Sequence, residues 1–355
     1  MISREQQYEI KLVRWVGSRL KRLIVSFTAL VIINPPVAPA FTIPVLQNTP
    51  GDINRPEGED SHGLLKDAER DIAANRFQES ESRLNAYLKD HPDSPKAHYD
   101  LGYVQFRTHN IGSSVKELSK SLELNSSNPE AHKILALDCS IIGRYDLAEV
   151  ELLEAARLKP DSGEIHYFLA RTYYTRGVYP LAKSEFQTAI RLNPSSMKAY
   201  SNLGITMEAM GESAEALKNY TKAVQLDEQQ KPRSEWPYIY LSGFYNRQKD
   251  AAQALSYARP AIEINPRSDS AYFEIAKANR TLKDLQKSAE AVRSAIAIND
   301  QVPDYYYVLA LVLRELGNQK ESAEALAKYE QLQKSSSNTL PEHSAQEPLG
   351  APEPQ

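Results

Sequence analysis

A single cysteine, Cys139, serves all 355 residues. It excludes an intramolecular disulfide framework and any multi-cysteine zinc or iron–sulfur site. Positive charge is also short: 42 Lys and Arg stand against 46 Asp and Glu, a net of −4. A nucleic-acid binder is expected to carry a clustered basic surface, so that class of partner is not expected. No apolar run reaches the roughly 20 residues a membrane helix needs. The phosphate-loop pattern G-x-x-x-x-G-K-[ST], the dinucleotide pattern G-x-G-x-x-G and the zinc pattern H-E-x-x-H are all missing. The chain is therefore read as a non-enzyme without a cofactor.

What is present is unevenly spread. Six of the 21 prolines precede residue 61 and four follow residue 340. Residues 337–355 offer little to bury and are expected to be disordered. Residues 41–60 read as a Pro/Gly linker on the same argument. In residues 1–40, Arg4, Lys11, Arg14, Arg19, Lys21 and Arg22 precede the 11-residue apolar stretch Leu23–Ile33, and Ala38-Pro39-Ala40 closes it. A basic start, a short apolar run and a small-x-small ending describe a secretory signal peptide, with an uncleaved membrane anchor as the alternative. The expected location is periplasmic or extracellular after cleavage near Ala40, or anchored at the inner membrane. A lipoprotein anchor is excluded, because no cysteine follows the run.

The middle of the chain repeats itself every 34 residues. Eight repeats run over 61–94, 95–128, 129–162, 163–196, 197–230, 235–268, 269–302 and 303–336, broken only by the four residues Lys231–Ser234. Position 8 is Ala68, Gly102, Ala136, Ala170, Gly204, Ser242, Ala276 and Ala310. Positions 20 and 27 are equally small, except for Tyr87 and Tyr329 in the first and last repeats. Small residues at fixed offsets let helices approach to about 8–10 Å. Terminal repeats have one unstacked face and are expected to depart from the pattern. Large apolar residues fill position 7 (Leu101, Leu135, Leu169, Leu203, Leu241, Ile275, Leu309) and position 24 (Leu84, Leu118, Leu152, Phe186, Tyr220, Val292, Leu326). The apolar spacing of 3 and 4 makes both halves of each repeat amphipathic helices. Asn75, Gly143, Gly177, Gly211 and Gly317 mark the turn between them, and Pro92, Pro160, Pro194 and Pro266 end the second helix.

This pattern resembles the tetratricopeptide repeat (TPR) family. The small set at positions 8, 20 and 27, the Leu at 7, the Tyr at 4 and 11, and the Pro at 32 carry the resemblance over residues 61–336. It implies an all-α fold, a right-handed α-α superhelical solenoid of eight helix-turn-helix units. Pro260, inside the second helix of the sixth repeat, is expected to kink or open that helix.

Three groups of residues invite a chemical reading. Cys139 falls on an inward helix position and reads as a core thiol. His98, His132 and His166 share position 4, but equivalent points on neighbouring helices lie about 8–10 Å apart, too far for one metal ion. They read as a packing ladder with polar tips that each reach a partner, so no metal is expected. Glu149, Glu151 and Glu154 read as a solvated face.

In the TPR family the first helices line a concave groove, and contacts come mainly from positions 2, 5, 9, 12 and 13. The resemblance places Tyr99, Tyr103, Phe106, Arg107, Lys133, Tyr167, Arg171 and Tyr174 there from the second to fourth repeats. Trp236, Asn246, Arg247, Phe273, Lys277, Arg280, Tyr307 and Arg314 follow from the sixth to eighth, and the fifth between them offers Ser201, Ile205 and Glu208. A basic, aromatic groove on an acidic chain favours a protein partner, as an extended peptide or a helix with acidic and apolar side chains. The pair of Lys at position 5 and Asn at position 9 that marks chaperone-tail binding is absent, since Lys133 is followed by Leu137. The expected function is a non-enzymatic protein-interaction scaffold. Two other readings are an accessory subunit of an envelope enzyme complex acting on glycans, with catalysis on another chain, and a direct carbohydrate or small-molecule binder. Membrane contact is expected only through an uncleaved N-terminal segment.

Overall fold

The computed structural model describes residues 61–336. The signal peptide or anchor expected at 1–40, the linker at 41–60 and the tail at 337–355 lie outside the described residues. Chain contacts divide the protein into two units, Met1–Asp67 and Ala68–Gln355. Of the first, only the opening of one helix is described.

Among the described residues every element is an α-helix, arranged in antiparallel pairs. They are α1 (Ser61–Ala73), α2 (Phe77–Asp90), α3 (Pro95–Arg107), α4 (Ile111–Leu124), α5 (Pro129–Ile141), α6 (Tyr145–Leu158), α7 (Gly163–Thr175) and α8 (Tyr179–Leu192). The rest are α9 (Met197–Ala209), α10 (Ser213–Asp227), α11 (Trp236–Arg247), α12 (Ala251–Ile264), α13 (Asp269–Thr281), α14 (Leu285–Ile298), α15 (Pro303–Glu315) and α16 (Gln319–Ser336). Each odd-numbered helix packs on the even-numbered helix that follows it and on its neighbours in adjacent pairs. The result is an all-α superhelical repeat.

Local chemistry starts and stops these helices. Ser94, Ser162, Ser196 and Ser268 accept the N–H of Ala97, Ile165, Ala199 and Ala271, and Asn128 accepts those of Glu130 and Ala131. Each cap satisfies donors that the first turn leaves open. The turn within each pair rests on one left-handed residue: Asn75, His109, Gly143, Gly177, Gly211, Lys249, Lys283 and Gly317 all have positive φ. Glycine takes that region freely. His109, Lys249 and Lys283 hold it with a β-carbon, at φ of 58°, 61° and 64°.

The small positions are small because a neighbour fills the space. A β-carbon on Gly102 would stand 2.7 Å from Leu118 Cγ, and one on Gly204 would stand 2.7 Å from Tyr220 Cε1. Leu84, Leu118, Leu152, Phe186, Tyr220 and Val292 at position 24 are fully buried. Leu326, in the same position of the last described pair, is 41% exposed. Serines knit the pairs: Ser80, Ser114, Ser288 and Ser322 donate to the carbonyls of Ala68, Gly102, Ala276 and Ala310.

Two irregularities resolve simply. α12 runs through Pro260 without a break. The turn that loses its bond lies on the solvent side, where Ser256 is exposed, so water can take the freed carbonyl. The inserted Lys231–Ser234 is tied to fully buried Asp227, which accepts from Arg233 Nε at 3.0 Å and from the Ser234 N–H at 2.6 Å. Arg233 also donates to Tyr238 Oη.

Candidate functional site

The first helix of each pair carries the residues expected to face a partner. Their chemistry divides into stacked rings and ion pairs that cross from one pair to the next.

Arg107 lies 4.8 Å from the Phe77 ring centroid and 5.7 Å from that of Tyr103, and donates to Tyr103 Oη at 2.6 Å. Phe106 beside it is half-buried. Tyr99 is also half-buried, and burial, with Glu130 nearby, pushes its hydroxyl well above the ordinary tyrosine range. Arg171 sits over the Tyr167 ring at 5.9 Å. Tyr167 itself is buried, packed on Phe168 and Phe186 and accepting from Asn202, so its ring serves the core more than the surface. Tyr174 lies against Tyr179, and Trp236 against Tyr240. Phe273 packs on Tyr305 with Lys277 above it at 4.7 Å. Tyr307 pairs with Tyr329 yet stays 45% exposed.

The cations are not bare. Lys133 on α5 bridges Glu130 at 2.7 Å and Glu164 of α7 at 2.6 Å. Burial opposes its charge, but the two carboxylates outweigh burial and hold its pKa above the ordinary lysine value. Arg247 on α11 grips Glu208 of α9 through two bonds of 2.5 and 2.8 Å. Glu208 also accepts from the fully buried Tyr220 hydroxyl at 3.0 Å. Asn246 donates to the Glu274 carboxylate at 2.7 Å, and Lys277 donates to the same group at 2.6 Å. Arg280 and Lys283 share Glu315 of α15. Arg314 holds no ion pair among the described residues.

The structure therefore joins the expected residues into rows along successive first helices. It brings in Glu130, Glu164, Glu208, Glu274 and Glu315, of which only Glu208 stood among the residues read from the contact offsets. Four of the five occupy the same contact positions 2, 12 and 13, so the offsets that found the cations could have found them. Repeats two to eight place nine basic and five acidic side chains at the five contact positions. The surplus of positive charge is real but moderated.

The histidine row is built from pairs. His98, His132 and His166 Nδ1 stand 2.7, 2.6 and 2.6 Å from Glu117, Glu151 and Glu185. Each Nε2 meets a backbone carbonyl, that of Pro92, Ser126 or Pro160. Glu151 is thus not a solvated side chain but the clamp of His132. The spacing of 19 residues recurs in all three repeats, and where position 4 is Tyr the partner position holds Asn219, Tyr257, Ala291 or Ala325. Cys139 is 3% exposed, and burial pushes its thiol up to about 12, the condition of an inert core thiol. Among the described residues no His, Cys, Asp and Glu group could hold a metal ion.

Antiparallel helix pairs at a constant period, with small residues at every crossing and ion pairs along one helix row, define a helical-repeat protein. Models described as Tetratricopeptide repeat match residues 65–129 and 245–303, 185–218, and 303–336. The chain belongs to the tetratricopeptide repeat family. It is similar to a tetratricopeptide repeat protein from Parabacteroides merdae, at 16% identity and a TM-score of 0.61 over 72% of this chain and 100% of that one. It is also similar to the APC/C hetero-tetramer Cut9–Hcn1, at 18% identity and a TM-score of 0.58 over 73% of this chain and 50% of that one. A MamA structure from Desulfovibrio magneticus matches at 19% identity and a TM-score of 0.46 over 49% of this chain and 98% of that one. At these identities the likeness concerns the fold. No curated protein matches the chain.

Proposed function

We propose that the chain is a non-enzymatic scaffold that binds a segment of a partner protein along its first-helix face. The observation that supports this most is the row of cations and rings on α3, α5, α7, α11, α13 and α15. Tyr, Trp and Arg are the side chains that most often anchor protein interfaces. Several here are pre-ordered by ion pairs, so binding orders few new side chains. Among the described residues Arg107 and Arg314 reach no carboxylate, and they are the cations most open to an acidic group on the partner. The partner segment is accordingly acidic and apolar. Export or inner-membrane anchoring, read from residues 1–40, belongs to the same proposal. No described helix is long and apolar enough to cross a membrane.

The test is co-purification of the tagged chain from its native host. It is compared with a variant in which Tyr103, Arg107, Arg280 and Arg314 are Ala, and with a control changed at exposed Val150 and Leu153 of α6. Loss of one partner from the first variant but not from the control supports the proposal. Equal recovery from both moves the contact to the second helices or the chain ends.

A further inference from the structure

From the second repeat onward, position 10 of the first helix is a buried slot. It holds Val104, Thr172, Thr206, Phe244, Ala278 and Val312, all 4% exposed or less. In the third repeat the same slot holds a carboxyl group, Asp138, at 0% exposure. A buried carboxylate demands an opposite charge or several donors. Asp138 has neither. Its Oδ1 is buried without any hydrogen-bond partner. Its Oδ2 lies 2.6 Å from Ser114 Oγ.

The proton count at Ser114 decides the matter. A serine hydroxyl has one proton to give. Ser114 Oγ lies 2.9 Å from the Gly102 carbonyl, the bond that Ser80, Ser288 and Ser322 also make in their own repeats. One serine proton satisfies only one of the two oxygens, the Gly102 carbonyl or Asp138 Oδ2. A carbonyl cannot donate, so both contacts are hydrogen bonds at once only when the second proton comes from the Asp138 carboxyl.

Nearby charges offer no other source. On α3, His98 is held by Glu117 of α4, and Asp100 by Lys96. On α4, Lys116 pairs with Glu117. On α6, Glu149 pairs with Arg176, Glu151 with His132 and Glu154 with Arg157. On α7, His166 is held by Glu185 and Arg171 lies over Tyr167. None of these is bonded to Asp138. The adjoining Cys139 thiol is kept protonated by burial.

We propose that Asp138 is a neutral, proton-donating carboxylic acid in the folded protein, and that it makes the joint between the second and third repeats proton-dependent. The joint unites α3 through Gly102, α4 through Ser114 and α5 through Asp138. α5 also carries Lys133 of the partner-binding face, so loosening of the joint reaches that face. Burial pushes the carboxyl up to about 7, in keeping with the geometry. The sign follows from the unfolded chain, where the group titrates near its ordinary 3.8. A folded pKa above the unfolded one gives stability that is complete below the unfolded value and lost as pH rises through the folded value. The joint is therefore tight in mildly acidic solution and weakens between about pH 6 and 8.

The test uses the full chain labelled with carbon-13 at the aspartate carboxyl carbons. Asp138→Asn, which keeps a donor toward Ser114, identifies the resonance by its loss. The expected result is a protonated carboxyl signal at pH 6 that titrates near 7. The melting temperature of the wild type should also fall by several degrees between pH 6 and 8 relative to Asp138→Asn. Asp138→Val, which copies Val104 and Val312, serves the thermal comparison if the Asn variant does not fold. The histidine pairs remain in every variant, so only the difference between proteins reports on Asp138. A resonance already ionised at pH 6, or parallel pH slopes in wild type and variants, would overturn the proposal.

Discussion

The second to fourth repeats and the sixth to eighth share one backbone plan but fasten it differently. In the front group, position 4 is His, clamped between a glutamate of its own repeat and a carbonyl of the repeat before. In the rear group the same position is Tyr238, Tyr272 or Tyr306, and no glutamate faces it in sequence. The front group also buries Asp138 where the rear has Phe244, Ala278 and Val312. Rear cohesion leans on rings, such as Phe273 on Tyr305 and Tyr245 stacked on Tyr257. One geometry thus accepts two chemistries. The polar one makes its repeats sensitive to loss of either partner, because a lone buried charge is costly. The aromatic one carries no such sensitivity.

The largest way to break this comparison is to remove one half of a front clamp. His132→Ala leaves Glu151 without its partner and should cost about 3 kcal/mol in urea unfolding. The double change His132→Tyr with Glu151→Asn transplants the pair of the fifth repeat, Tyr200 and Asn219, and should recover most of that loss. A double variant as weak as the single would mean the two fastenings are not interchangeable.

A smaller effect is expected at the helix crossing between the two groups. Gly204→Ala pushes a methyl group against the buried Tyr220 ring and should cost about 1–3 kcal/mol in thermal unfolding. An unchanged melting curve would show that the ring moves aside. Smaller still, and of opposite sign, is relief of the left-handed turns. His109→Gly in the front and Lys283→Gly in the rear should each stabilise by roughly 0.5–1 kcal/mol, since the turn has the same geometry in both groups. The smallest is Arg314→Ala, which should leave stability within about 0.5 kcal/mol while weakening partner binding.

The fold could be read from the chain because the same few offsets recur in every repeat. Small residues at position 8 and large ones at position 24 are the two sides of one contact, as Gly204 and Tyr220 show. Leu326, in the last described repeat, breaks the rule because no later described helix packs on it. The cations and rings of the candidate face were legible from their offsets. Most of the carboxylates sit at those offsets too, but their pairing with the cations was not legible, because ion pairs such as Arg247 with Glu208 join residues 39 apart on neighbouring helices. Whether such a pair forms depends on how far successive repeats rotate, which no local pattern states. Asp138 escaped for a related reason: the only carboxylate in an eight-fold series looks like surface until its neighbours close over it.

Hydrogen exchange of the full chain at pH 6 and pH 8, corrected for intrinsic exchange rates, tests the difference between the two groups most directly. The account predicts that amides of α4 and α5 lose protection at pH 8 while those of α13 and α14 keep theirs. Equal loss in both groups, or loss confined to α13 and α14, would contradict it.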